Sequence, residues 1–116
     1  MWEASIGPVN RYLADEVDGR LWYGHADMDS GERTATRFGA LDAFWPGVLA
    51  LSGDLDRAAR LMESVYHMWT TFDVEPEGMD YTTMEVVWGG YPLRPEAIES
   101  AYILYTFTGD ERYKAM

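Results

Sequence analysis

The chain has 116 residues, which is enough for one small domain with a hydrophobic core. Twenty acidic residues against nine lysines and arginines give a formal net charge of −11, which argues against nucleic-acid phosphate as a partner. There is no cysteine, no apolar run typical of a membrane span, and no histidine pair with metal-ligand spacing. Aromatic residues make up 15% of the chain, and we interpret most of them as core residues.

The first predicted element is a short helix from about Val9 to Val17, ended by Asp18-Gly19. Residues from Arg20 to Glu32 predict irregular structure or a small hairpin, with a turn at Asp29-Ser30-Gly31. The acidic residues of this turn do not fit a calcium-binding EF-hand loop, because Glu32 occupies the position that requires glycine. A polar turn is therefore the better interpretation.

An apolar helical face runs from Leu41 to Ser52, and Pro46 within it predicts a kink or a restart. Gly53 is a natural helix stop, and Asp54 is a natural N-cap for the next helix. That helix, from Leu55 to Trp69, is the clearest in the chain, and the tight turn predicts that the two helices are antiparallel neighbours. Its predicted buried stripe consists of Leu55, Ala58, Ala59, Met62, Val65, Tyr66 and Trp69.

A long connection from Thr70 to Pro92 precedes the last predicted helix. Ordered connections of this length are often functional. The last helix is predicted from Pro95 to about Thr108, where Thr108-Gly109-Asp110 repeats the glycine-stop and aspartate-start pattern of the earlier turn. We predict that its inner face consists of Ile98, Ala101, Tyr102 and Tyr105.

Glu96 directly follows the proline that begins this helix. Unpaired backbone N–H groups and the helix dipole favour an ionised carboxylate at that position, so Glu96 suits the role of a base. Glu99 lies one turn further on and shares the same helix face. Two interpretations stay open from spacing alone: a helix N-terminus with ordinary acidic residues, or a site at which Arg94 and the two glutamates hold a sugar and activate a water.

Several segments occur together in an order and spacing that resemble one family. They are Arg37 to Gly47, Leu51 to Asp54, Glu75-Pro76-Glu77, Tyr91 to Glu96, Glu99-Ser100, and Tyr102 to Tyr105 followed by Thr108-Gly109-Asp110 and Tyr113. Together they resemble the class I α-1,2-mannosidases of glycoside hydrolase family 47. The branch that they resemble most is that of the ER-degradation-enhancing α-mannosidase-like proteins.

The resemblance implies an all-α fold, a fragment of an (α/α)7 barrel built of helical hairpins. A family 47 catalytic domain is several times longer than this chain, so we expect residues 1–116 to be an internal fragment of one such domain. Helices taken from a closed ring lose the neighbours that cover their apolar faces. Exposed apolar surface is therefore a further expectation.

The resemblance also implies a chemistry, namely inverting hydrolysis of terminal α-1,2-linked mannose from N-linked high-mannose glycans. In this family the glutamate of the Leu-Arg-Pro-Glu motif is the usual candidate for the base, and it corresponds to Glu96. The implied sugar-binding residues are Arg94, Glu77, Glu99, Asp42 and Phe44. The family's proposed acid and a further catalytic aspartate lie upstream of the matching segments, so we expect the isolated chain to be inactive.

Cofactor, partners and compartment are likewise implied by the resemblance. The parent family uses calcium, but the segment that binds the ion has no match in this chain, so no metal ligand is assigned here. The implied setting is the endoplasmic reticulum and secretory pathway, with high-mannose glycoproteins as substrates and an oxidoreductase as a further partner. The alternative is a lectin-like module that binds mannose-rich glycans on misfolded glycoproteins without cleaving them.

Overall fold

The computed structural model describes residues 1–116 as five α-helices, one 3₁₀ helix and seven short β-strands. The helices are α1 (Trp2–Tyr12), the 3₁₀ helix (Ala40–Phe44), α2 (Trp45–Leu51), α3 (Leu55–Thr71), α4 (Glu96–Thr108) and α5 (Arg112–Ala115). The strands are β1 (Ala14–Val17), β2 (Arg20–Tyr23), β3 (His25–Ala26), β4 (Arg33–Ala35), β5 (Arg37–Gly39), β6 (Gly78–Asp80) and β7 (Glu85–Trp88). The expected all-α class is wrong in this respect, because the strands form three small antiparallel sheets.

The N-terminal prediction is also wrong. The helix that forms there is α1, which ends at Tyr12, whereas the predicted helix extended to Val17. Residues 14–17 form the strand β1. Asp18 and Gly19 both have positive φ, 51° and 75°, and join β1 to β2 with Val17 opposite Arg20. Asp-Gly between two short strands is typical of a two-residue hairpin turn, so this dipeptide closes a hairpin and does not end a helix.

The turn predicted at Asp29-Ser30-Gly31 is confirmed, and it joins the antiparallel pair β3 and β4. The Asp27 carboxylate accepts hydrogen bonds from the backbone N–H of Ser30 at 2.8 Å and of Asp29 at 3.1 Å. These bonds, and one from the Ser30 hydroxyl, lower the pKa of Asp27. The carboxylate thus caps a polar turn.

The helical half of the molecule follows the sequence prediction closely. Trp45 begins α2 directly after the 3₁₀ helix, so the chain restarts a helix at the predicted position beside Pro46. Gly53, with φ of 92°, ends that segment, and the Asp54 side chain accepts a hydrogen bond from the Arg57 N–H at 3.2 Å. The predicted N-cap of α3 is therefore confirmed.

The buried faces of α3 and α4 differ from the prediction. The residues that α3 buries are Ala58, Leu61, Met62, Ser64, Val65 and Met68, whereas the expected Leu55 and Tyr66 are exposed. On α4, Ala101 is buried as predicted, but Ile98 is 61% exposed and Tyr102 is 68% exposed. These two side chains border an apolar groove of about 220 Å³ between α3, α4 and α5, which no other element of the chain covers.

The long connection between α3 and α4 is not structureless, because it contains β6 and β7. These strands extend a sheet that begins with β5, in the order β5-β6-β7. Gly39 lies opposite Gly78, which in turn lies opposite Trp88. A Cβ atom on Gly78 would come within 2.5 Å of the Trp88 ring, so the missing side chain lets the indole lie across the sheet.

A buried hydroxyl joins α4 to the junction of the 3₁₀ helix and α2. Ser100 Oγ donates to the carbonyl of Ala43 at 2.6 Å and accepts the N–H of Gly47 at 3.1 Å. A Cβ atom on Gly47 would come within 3.2 Å of that hydroxyl and 3.0 Å of Ile103 Cδ1, so the helices approach closely at this point. None of the helices combines the length and apolar character that a membrane span requires.

Replacement of Ser100 by alanine tests this junction. Ser100→Ala leaves the Ala43 carbonyl and the Gly47 N–H buried without partners, and we expect the free energy of unfolding to fall by about 1–3 kcal/mol. Chemical denaturation measures the change. Thr106→Ala is the matched control, because the exposed Thr106 hydroxyl bonds only to a carbonyl of its own helix, and we expect a change within about 0.5 kcal/mol. Equal losses of stability in Ser100→Ala and Thr106→Ala would contradict the role of Ser100 at this junction.

Candidate functional site

An ion pair between Glu77 and Arg94 connects the loop before β6 to the segment before α4. Arg94 Nη2 donates to Glu77 Oε1 at 2.8 Å, and Arg94 Nε donates to Oε2 at 3.2 Å. The hydrogen bonds from Arg94 hold the pKa of Glu77 below its usual value. Because about a third of each side chain is exposed, the pair contributes little to stability, and its main effect is to fix the direction of the guanidinium.

The backbone that presents Arg94 is constrained on both sides. Pro92 and Pro95 flank it at a distance of one or two residues, and each proline fixes its own φ. Leu93 has a φ of 58°, in the left-handed region that costs a residue with a Cβ atom roughly 1–2 kcal/mol. Its side chain is exposed, so no packing of Leu93 itself explains the strain. The strained residue is the one that immediately precedes the arginine.

Glu96 is the first residue of α4, one position after Pro95. The sequence therefore placed it correctly in the first turn of the helix. Its side chain is half-buried, and its Oε2 atom is fully buried without a hydrogen-bond partner. The hydrogen bond to Glu77 is the main cause of the raised pKa of Arg94, and the charge of Glu96 adds to it, so Arg94 and Glu96 lie within electrostatic range of each other.

Glu75 is a third acidic residue of this site, and sequence reasoning missed its role. The residue is fully buried, and neither carboxyl oxygen has a hydrogen-bond partner. Burial, followed by the charges of Glu96 and Glu77, raises the pKa of Glu75 to about 8. The resemblance assigns the Glu75-Pro76-Glu77 segment to the site through Glu77 alone, because the family's Pro-Glu pair corresponds to Pro76-Glu77, and it implies no role for Glu75. No sequence signal indicates that Glu75 is buried while Glu77 pairs with Arg94.

Asp42 and Glu77 line one cavity of about 510 Å³ between the 3₁₀ helix and the β5-β6-β7 sheet. Asp42 Oδ2 accepts the N–H of Gly39 at 2.9 Å, which orients the carboxylate at the start of the 3₁₀ helix. Burial raises the pKa of Asp42. His25 and Arg37 also line this cavity, so acidic and basic groups face the same space.

Trp88 forms part of the same cavity and was not identified from the sequence, where aromatic residues were interpreted as core. Its side chain is 51% exposed, and the Arg37 guanidinium lies 5.1 Å from the ring centroid. An exposed aromatic ring beside charged groups is an arrangement that can bind both the apolar face and the hydroxyls of a sugar.

The two remaining predicted residues lie at the margin of this site. Phe44 is 46% exposed and borders a second cavity of about 280 Å³ that it shares with Asp42 and His25. Glu99 is exposed on α4, makes no side-chain hydrogen bond or ion pair, and lines neither of these cavities. The structure thus brings together Arg94, Glu77 and Glu96, and it links them through Glu77 to Asp42.

The residues of the chain do not assemble a metal site. No group of three or more histidine, aspartate or glutamate side chains has the arrangement to hold an ion. Calcium prefers about six to eight oxygen ligands, and Glu77, whose oxygens could serve, is occupied by Arg94. The calcium that the resemblance implies therefore does not fit the donors of this chain, and none of its chemistry is assigned to them.

The pKa of Glu75 predicts how stability depends on pH. The folded state holds a proton on Glu75 up to about pH 8, whereas the unfolded chain releases it near pH 4.5. The contribution of this proton to stability is fully present below about pH 4.5 and is lost as the pH rises to about 8. Between pH 5 and pH 8 we expect this effect to lower the free energy of unfolding of the parent protein by on the order of a few kcal/mol. Glu75→Gln should lack this part of the pH dependence, because its amide does not titrate.

Chemical denaturation of the protein and of Glu75→Gln at several pH values measures that component. Glu32→Gln is the control, because Glu32 is an exposed glutamate whose side chain has no partner. Other groups also titrate over this range, so the informative quantity is the difference in the free energy of unfolding between variant and parent at each pH. Parallel stability curves for the parent and Glu75→Gln would show that Glu75 is ionised in the folded protein.

Comparisons with known proteins agree with the family that the sequence resembles. The model of the glycosyl hydrolase family 47 matches residues 1–116. The chain is 44% identical over 94 residues to an alpha-mannosidase I of Arabidopsis thaliana, covering 79% of this chain and 15% of that protein. It is 42% identical over 93 residues to the human ER degradation-enhancing alpha-mannosidase-like protein 2, covering 77% of this chain and 16% of that protein.

A solved structure shares the fold. The alpha-1,2-mannosidase from Trichoderma reesei superposes with a TM-score of 0.80 and 21% sequence identity, over 98% of this chain and 30% of that enzyme. The chain spans about a sixth of the length of the curated relatives named above. With the family model matched along its whole length, the chain belongs to glycosyl hydrolase family 47.

Proposed function

We propose that this chain forms part of the glycan-binding cleft of a longer mannosidase that hydrolyses terminal α-1,2-linked mannose from N-linked high-mannose glycans with inversion. The observation that carries the proposal is the Arg94–Glu77 ion pair, because Glu77 lines a cavity with Asp42 and an exposed indole and Arg94 lies within electrostatic range of Glu96. Carboxylates, a guanidinium and an aromatic ring are the groups by which proteins hold a sugar and activate a water.

In this proposal Glu96 is the base that removes a proton from the attacking water. Arg94 and Glu77 bind sugar hydroxyls, Asp42 and Phe44 bind from the 3₁₀ helix, and Glu99 binds from the exposed face of α4. An inverting enzyme also needs an acid whose carboxyl group lies about 6.5–9.5 Å from the base, to leave room for that water. We assign the acid to a part of the longer protein outside residues 1–116, so the isolated chain is expected not to release mannose.

The proposed setting follows from the names of the relatives. Several are ER degradation-enhancing alpha-mannosidase-like proteins, which supports the endoplasmic reticulum or secretory pathway as the compartment and high-mannose glycoproteins as the partners. An oxidoreductase partner and a calcium ion bound elsewhere in the longer protein belong to the same proposal.

A lectin-like function is the second candidate. It is favoured by the exposed Trp88 and by the cavity beside it, because both can bind a mannose-rich chain without any proton transfer. The two functions share the cleft and differ in whether Glu96 is needed for turnover or only for binding.

Substitution of Glu96 distinguishes the two functions. In the longer protein that contains this chain, we expect Glu96→Gln to lower the rate of α-1,2-mannose release by about 10²–10⁴-fold, because the amide cannot accept the proton of the water. Binding of a mannose disaccharide should change much less, and Glu32→Gln should retain full activity. Hydrolysis that survives in Glu96→Gln would remove Glu96 from the base role, and a parent protein that binds but never hydrolyses would favour the lectin-like function.

Trp88 tests the position of the cleft independently of turnover. We expect Trp88→Ala to weaken binding of methyl α-1,2-mannobioside about fivefold, because the sugar loses an aromatic contact worth roughly 1 kcal/mol. Isothermal titration calorimetry measures the change. Phe107→Ala is the control, since Phe107 is an equally exposed aromatic residue near the far end of α4. Equal binding by Trp88→Ala and the parent would place the sugar elsewhere.

A further inference from the structure

Two carboxyl groups in this site have buried oxygens without partners. Glu75 is fully buried with both oxygens unpaired, and Glu96 has one buried unpaired oxygen, Oε2. Buried polar atoms in proteins nearly always have a hydrogen-bond partner, because leaving one unpaired costs about 1–3 kcal/mol. Three such atoms on two neighbouring acidic residues therefore call for an explanation.

No positive charge is available to neutralise Glu75. Arg94 directs its hydrogen bonds to Glu77. Neither Arg37 nor His25 of the neighbouring cavity is among the charges that act on Glu75. The charged groups that act on Glu75 are Glu96 at the start of α4 and Glu77 two residues along the chain, and both are acidic. A second negative charge in this position would be buried, unpaired and repelled, which is the least favourable state for a carboxylate.

A proton on Glu75 removes the buried negative charge and also supplies a hydrogen-bond donor for an unpaired oxygen. A neutral carboxyl group has an O–H donor, whereas an ionised carboxylate has only acceptors. If Glu75 is the neutral acid and Glu96 the carboxylate, the donor of one meets the unpaired acceptor of the other. A hydrogen bond from a neutral acid to a carboxylate is of the strong, charge-assisted kind.

We propose that Glu75 carries a proton at neutral pH and donates it in a hydrogen bond to Oε2 of Glu96, and that this bond fixes the direction of the Glu96 carboxylate. Glu75 is then a positioning residue, and Glu96 is the residue that meets the substrate. The other oxygen of Glu96, Oε1, reaches solvent and stays free to accept a proton. The role of Glu96 rests on the proposed function, whereas the location of the proton on Glu75 does not.

The bond has a defined pH range. The pKa of Glu75 is raised to about 8 by burial and by its two acidic neighbours, so the proton is present at pH 7 and lost above pH 8. Loss of the proton places two carboxylates against each other, and Glu96 must then turn away from Glu75. A purely structural glutamate would give no such coupling between the two side chains.

Carbon-13 NMR of the glutamate carboxyl groups between pH 4 and pH 10 tests the location of the proton. We expect the Glu75 resonance to titrate near pH 8, and the Glu96 resonance to move in the same step. In Glu96→Gln the midpoint of Glu75 should fall, since one acidic neighbour is gone. In Glu75→Gln the step near pH 8 should vanish from Glu96, whereas Glu32→Gln should leave both resonances unchanged. A Glu75 resonance that titrates near pH 4.5 would overturn the proposal.

Binding of methyl α-1,2-mannobioside at pH 7 and pH 9 tests the consequence for Glu96. We expect the parent to bind several-fold more weakly at pH 9, and Glu75→Gln to bind equally at both values because its amide donates at any pH. Glu75→Leu, which packs but cannot donate, should bind weakly at both. Equal pH dependence in the parent and Glu75→Gln would overturn the positioning role. If the parent binds no mannobioside at either pH, the proposed function fails, while the NMR titration still decides where the proton lies.

Discussion

The spacing of the site depends on one buried hydroxyl group. Ser100 bonds to the Ala43 carbonyl and to the Gly47 N–H, and these two bonds hold α4 against the junction of the 3₁₀ helix and α2. Asp42 is the neighbour of Ala43, and Glu96 lies one turn before Ser100 on α4. The two halves of the candidate cleft are therefore set by a polar contact within the core, which is more directional than apolar packing.

The site concentrates acidic groups in a chain that is already strongly acidic. Each carboxyl group has a different electrostatic environment: Glu77 is paired with Arg94, Asp42 is capped by a backbone N–H, and Glu75 is buried without any partner. Environments that separate the pKa values of neighbouring carboxyl groups allow one to hold a proton while another holds a charge.

The sequence predicted the helices better than it predicted the strands and the burial of Glu75. Asp54 caps the start of α3 and Gly109 ends α4 as expected, because a cap acts through its immediate neighbours. The hairpin at Asp18 was mistaken for a helix end, since strands of two to four residues carry too little alternation to be recognised. The burial of Glu75 depends on contacts between distant segments, and no local pattern reports those contacts. Glu96 and Arg94 were proposed from a motif, whereas Trp88 was not proposed, because the exposure of an aromatic residue is set by the tertiary fold.

The strained residue before Arg94 changes how substitutions at Glu77 should be interpreted. Leu93 keeps its left-handed conformation between two prolines, and the two hydrogen bonds from Arg94 to Glu77 are the side-chain contact that anchors this segment to the loop before β6. Removing the Glu77 carboxylate would release the anchor as well as a charge, so the backbone could relax and carry the start of α4 with it. A single substitution at Glu77 therefore has two effects, one electrostatic and one conformational. A double-mutant cycle with Leu93→Gly would separate them.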